Sequence, residues 1–97
     1  MSKKYNAERL RFAILKEINK GTEINYEMFG IPKDEFEKFV IGMQEDGYIS
    51  GIVGTKDKVL LSGIRVKPEG EKYLKENSKL AKTYRRIKEI KDWIPGY

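Results

Sequence analysis

Lysine, arginine, tyrosine and carboxylates are the chemical groups this chain has to work with, because none of its 97 residues is histidine or cysteine. That absence removes the usual zinc ligands, the usual general base near neutral pH, the Ser-His and Cys-His pairs of covalent catalysis, and every disulfide. Carboxylates alone can hold magnesium or calcium, but no cluster at loop spacing occurs, and Glu45-Asp46-Gly47 has the composition of a helix end. No acid, base and nucleophile assemble into a reaction, so a non-catalytic protein with neither metal nor cofactor is expected. What remains is electrostatics. Twenty Lys and Arg against fifteen Asp and Glu leave a net charge of +5, which permits a polyanionic partner such as DNA.

The cations sit at the two ends. Residues 1–20 hold Lys3, Lys4, Arg9, Arg11, Lys16 and Lys20 against Glu8 and Glu17, a net +4. Residues 78–94 hold Lys79, Lys82, Arg85, Arg86, Lys88 and Lys91 against Glu89 and Asp92, again +4. Lys56 and Lys58 flank Asp57 between two apolar runs, enough for one or two phosphate contacts, although lysines at a hairpin tip also protect a sheet edge. The candidate nucleic-acid contacts are therefore Lys3, Lys4, Lys56, Lys58, Lys82, Arg85 and Arg86. The alternative for the C-terminal cations is a solvated helix face balanced by Arg85–Glu89 and Lys88–Asp92 pairs.

The elements that must position these residues follow from periodicity and caps. Asn6 and Gly21 bracket a helix over 7–20, whose apolar residues Leu10, Phe12, Ile14, Leu15 and Ile18 span an arc wide enough to be covered on two sides. Asn25 caps a short helical turn that ends at Gly30. Phe36, Phe39, Val40 and Met43 recur at helical spacing over 33–46, with Asp34 and Glu35 in the first turn and Gly47 as the stop. Residues 48–53 and 59–66 are rich in β-branched and aromatic residues around "GTKDK", which predicts one antiparallel hairpin, with Gly51 and Gly63 as sites for bulges. Pro68 opens a helix to Glu76 in which Gly70 predicts close packing, and Ser78 opens a last helix to Ile94 with an apolar stripe of Leu80, Tyr84, Ile87, Ile90 and Ile94. The expected fold is α+β: one winged helix-turn-helix domain, core 6–66, with a C-terminal helical arm over 68–94.

"RLRFAILKEI" at 9–18, "GYI" at 47–49, "PEGEKYLKENS" at 68–78 and "AKTYRRIKEIKDWI" at 81–94 resemble the YjcQ-like family, small winged-helix proteins of Gram-positive bacteria and their phages. The resemblance covers essentially the full length and implies the same fold in a regulatory or phage-related setting; it carries no activity to transfer. Many winged-helix regulators open the helix after the wing with Leu-Thr-x-x-Gly. Here Val66-Lys67-Pro68-Glu69-Gly70 stands in that place, with Lys67 where the threonine cap would be.

In such a fold the second helix of the motif ordinarily enters the major groove. Residues 32–47 carry two cations and five carboxylates, and their outward face is expected to hold Asp34, Lys38, Ile41 and Glu45, an arrangement that phosphates repel. DNA contact, if made, falls to the wing and the basic ends. The competing expectation is a protein-protein adaptor with Ile41 and Trp93 in its contact surface, since an aromatic beside arginine is enriched at interfaces. The C-terminal stripe has two burial routes, onto Phe12 and Leu15 of its own chain or onto a second copy as a homodimer. The N-terminus lacks the apolar core of a signal peptide and no run approaches ~20 apolar residues, so a cytoplasmic protein without membrane contact is expected.

Overall fold

The computed structural model describes residues 6–54 and 58–81. Its elements are helices α1 (Ala7–Asn19), α2 (Tyr26–Phe29) and α3 (Lys33–Glu45), strands β1 (Ile49–Ser50), β2 (Val53–Gly54), β3 (Val59–Leu60) and β4 (Arg65–Val66), and helix α4 (Pro68–Glu76), followed by a 3₁₀ turn at Ser78–Leu80. The architecture is α+β, as expected.

Local chemistry sets the helix ends. Asn6 Oδ1 accepts from the Arg9 N–H and Asn25 Oδ1 from the Met28 N–H, each at 3.0 Å, satisfying donors that α1 and α2 would otherwise leave unpaired. α1 and α3 close in the same way. The Gly21 and Gly47 N–H groups donate to Ile18 and Gln44, the next residues Thr22 and Tyr48 donate back to Glu17 and Met43, and both glycines have φ of +88°.

Leu10, Phe12, Ala13, Ile14 and Leu15 of α1 are all buried, so the wide arc is covered, with α4 and β4 packed against this helix. Phe36, Val40 and Met43 of α3 join them, together with Ile24, Phe29, Ile31 and Ile49. Phe29 and Phe36 stack at 5.7 Å between ring centres, which ties α2 to α3. α4 approaches at Gly70, which is buried. A Cβ there would run into the Tyr48 carbonyl oxygen and come within 2.8 Å of Val66 Cγ1 and 3.1 Å of Leu15 Cδ2.

The two arms expected to form a hairpin do pair antiparallel, but the pairing is interrupted at Gly51 and Gly63, the expected bulge sites, which divides it into two ladders. The inner one pairs Ile49 with Val66 and Ser50 with Arg65; the outer one pairs Val53 with Leu60 and Gly54 with Val59. Between them, residues 51–52 on one arm face 61–64 on the other, so the longer arm must turn, and the Ile64 N–H donates to the Leu61 carbonyl. Gly51 and Gly63 meet at this break. Gly51 has φ of +96° and a Cβ on it would strike the Gly63 carbonyl. The Ile52 N–H, left without a cross-strand partner, donates to Gln44 Oε1 of α3 at 2.8 Å, which anchors the break to the helix.

The helix expected from Ser78 begins with the 3₁₀ turn, and its continuation over 82–94, with Tyr84 and the pairs Arg85–Glu89 and Lys88–Asp92, lies outside the described residues.

Candidate interaction site

Three surfaces bear on function, and the first is the outward face of α3. Asp34, Lys38 and Glu45 are exposed and Ile41 is half-buried, as the helical wheel predicts. Ile41 does not join the cluster of core and partly buried apolar side chains. The exposed charge of this face is two carboxylates and one ammonium, and the first turn adds a half-buried Glu35. Such a face repels a phosphate backbone.

The second is the N-terminal helix, where the structure corrects the charge count. Arg11 was expected on a basic surface with Arg9, Lys16 and Lys20. Its guanidinium instead turns inward among three rings, 5.4 Å from the centres of Tyr48 and Tyr73 and 5.9 Å from Phe39. Tyr48 and Tyr73 meet edge-to-face at 5.5 Å, and the Tyr73 hydroxyl accepts from an Arg11 terminal nitrogen at 3.5 Å while donating to the Glu8 carbonyl at 3.2 Å. Arg11 Nε is buried without a hydrogen-bond partner among the described residues. The arginine therefore joins α1, α3, β1's approach and α4 through ring faces rather than through a carboxylate. Lys20 is also engaged: its ammonium lies 3.8 Å from Glu17, whose side chain is buried. Arg11 lies four and seven residues before Leu15 and Ile18 on one helical stripe, the single signal in the sequence that it faces inward.

The third is the outer ladder. Val53 is 54% exposed and Leu60 45% exposed, and they stand directly opposite each other across the two strands. Lys58 is exposed at the start of β3. Beside the ladder lies a groove of about 280 Å³ lined by Glu23, Ile24, Val59, Leu60, Leu61 and Ser62, and a smaller cavity of about 90 Å³ shares Glu23, Ile24, Leu61 and Ser62 with it. Reasoning from the sequence missed Val53, Leu60 and Glu23. A signal existed for Leu60: in "VLL" at 59–61 successive side chains take opposite faces, so the run cannot bury all three.

Of the nucleic-acid candidates only Lys58 is described; Lys3, Lys4, Lys56, Lys82, Arg85 and Arg86 lie outside the described residues, as does Trp93. Ile41 lies on α3, away from the outer ladder in sequence, and nothing described brings it together with Lys58. Among the described residues no group of three acidic side chains is placed to hold a metal ion, and no helix is long and apolar enough to cross a membrane.

Comparison with known proteins places the chain. A family model described as YjcQ protein matches residues 12–93. The uncharacterized protein YjcQ of Bacillus subtilis (strain 168) is 42% identical over 92 residues, which cover 92% of this chain and 98% of that one. The solution NMR structure of the YjcQ protein from Bacillus subtilis superposes with a TM-score of 0.60 at 38% identity, covering 71% of this chain and 92% of its own. A family match that starts within α1 and runs beyond α4, with a relative this similar over nearly its whole length, means that the chain belongs to the YjcQ family.

Proposed function

We propose that this protein is a non-catalytic winged-helix module that docks a protein partner against the outer half of its wing. The order α1, α2, α3, ribbon supports the winged-helix reading, with α2 and α3 as the helix-turn-helix pair, residues 49–66 as the wing and α4 as the start of an appended arm. The observation that carries the partner is the cross-strand pair Val53 and Leu60, two large apolar side chains held toward solvent beside an apolar groove. Single exposed apolar residues are ordinary, but a facing apolar pair on an exposed strand ladder is a surface suited to association. In the usual DNA reader the third helix supplies the contact, and here that helix presents carboxylates.

Cross-linked co-purification from the native host, comparing the wild type with a Val53→Asp, Leu60→Asp double variant, tests this reading. A stoichiometric protein captured by the wild type and lost by the variant is the expected result; equal capture by both rejects the surface.

DNA contact through the wing is the second reading, favoured by Lys58, exposed at the base of β3. It predicts binding to random duplex DNA that weakens steeply with salt and falls on Lys56→Glu and Lys58→Glu. Fluorescence anisotropy that stays flat at low salt removes it.

A further inference from the structure

We infer that the groove beside β3 takes an extended segment of a partner protein by strand addition, with a cationic residue of that segment against Glu23. This rests on the partner reading above but concerns the edge of the ribbon rather than its face.

Two segments line the groove, residues 59–62 and residues 23–24. On one side, among the described residues, β3 pairs only with β2, so its outer edge carries N–H and C=O groups with no described strand beside them. On the other side Glu23 and Ile24 form neither helix nor strand, and among the described residues their backbone groups have no backbone hydrogen-bond partner. Ile24 is itself buried, which holds this bank in place. Unpaired strand edges are what an added strand satisfies: main-chain hydrogen bonds supply affinity, and alternate side chains supply specificity. At about 280 Å³ the groove lies at the lower limit of small-molecule sites, which run to roughly 300–1,000 Å³, and among the described residues its polar side chains are Glu23 and Ser62. A groove of this size beside an unpaired strand edge suits a peptide better than a cofactor.

Charge selects the occupant. Ile24, Val59, Leu60 and Leu61 line it with apolar residues, and among the described residues Glu23 is the one charged residue on the lining of both cavities. Glu23 is exposed and has no ion pair among the described residues. A segment alternating apolar side chains with lysine or arginine meets both features.

The test is an NMR titration of the isotopically labelled full chain with acetyl-Val-Lys-Val-Lys-Val-amide, to about 1 mM peptide. Amide shifts confined to residues 22–25 and 58–62 are expected. They should weaken at least ~tenfold when alternate peptide nitrogens are methylated, since this removes the strand donors. Glu23→Lys should transfer the preference to acetyl-Val-Glu-Val-Glu-Val-amide. No shift at these amides, or shifts indifferent to methylation, overturns the inference. So does the same shift pattern appearing without peptide as the chain is concentrated and dimerises, because the occupant is then a second copy. If the peptide fails while Val53→Asp with Leu60→Asp still abolishes partner capture, strand addition falls and the partner reading stands.

Discussion

The inner and outer halves of one ribbon are built from ladders of equal length and end in opposite environments. Ile49, in the inner ladder, is completely buried, with β1 against α3 and β4 against α1 and α4. Val53 and Leu60, in the outer ladder, are about half exposed. Both contain β-branched residues, Ile49 and Val66 in the inner ladder and Val53 and Val59 in the outer, so β-propensity alone does not distinguish them. What does is the break at Gly51 and Gly63, where the Gly51 backbone passes against the Gly63 carbonyl and the Ile52 N–H is taken by Gln44. Beyond that point the ribbon leaves the helices. Its apolar side chains then contribute little to the core and are free to serve a contact.

Substitutions on the two sides of the break should separate sharply. Ile49→Ala empties a fully buried site and should lower stability by about 2–5 kcal/mol in urea denaturation. Gly70→Ala comes next, because its methyl meets the Tyr48 carbonyl, a backbone atom that cannot swing aside, and a loss of about 1–3 kcal/mol is expected from the same measurement. Arg11→Ala should cost about 2 kcal/mol through lost packing and ring contacts. Arg11→Met should stay within about 1 kcal/mol of wild type, since it keeps the stem and removes both the ring attraction and the unpaired Nε. A large loss for Arg11→Met would show the charge itself to be the tie. Gln44→Ala leaves the Ile52 N–H open and should cost about 1 kcal/mol, with faster hydrogen exchange at Ile52.

The helices were legible because caps and periodicity agree: Asn6, Asn25, Gly21, Gly30 and Gly47 mark ends that the structure reproduces to within a residue. Gly70 was legible for the same kind of reason, since glycine inside a helix is costly unless something packs close. The ribbon was less so. Gly51 and Gly63 marked where its pairing breaks, but alternation does not report the two-residue mismatch between the arms, nor that Gln44 reaches across from α3 to take the Ile52 N–H. Arg11 shows the limit of counting charges. Sequence gives the sign of a side chain, whereas its direction depended on Phe39, Tyr48 and Tyr73 converging from three later segments. Glu23 and Ile24 carry no motif, and only their placement beside β3 makes them part of a groove.

The most direct measurement is the urea unfolding free energy of the Val53→Thr, Leu60→Thr double variant, which keeps strand-compatible residues while removing the apolar surface. An outer ladder held for an external contact predicts stability within about 0.5 kcal/mol of wild type. A loss of about 2 kcal/mol or more, the size expected for a core residue, would mean that Val53 and Leu60 are packed within the molecule, and the docking surface would be withdrawn.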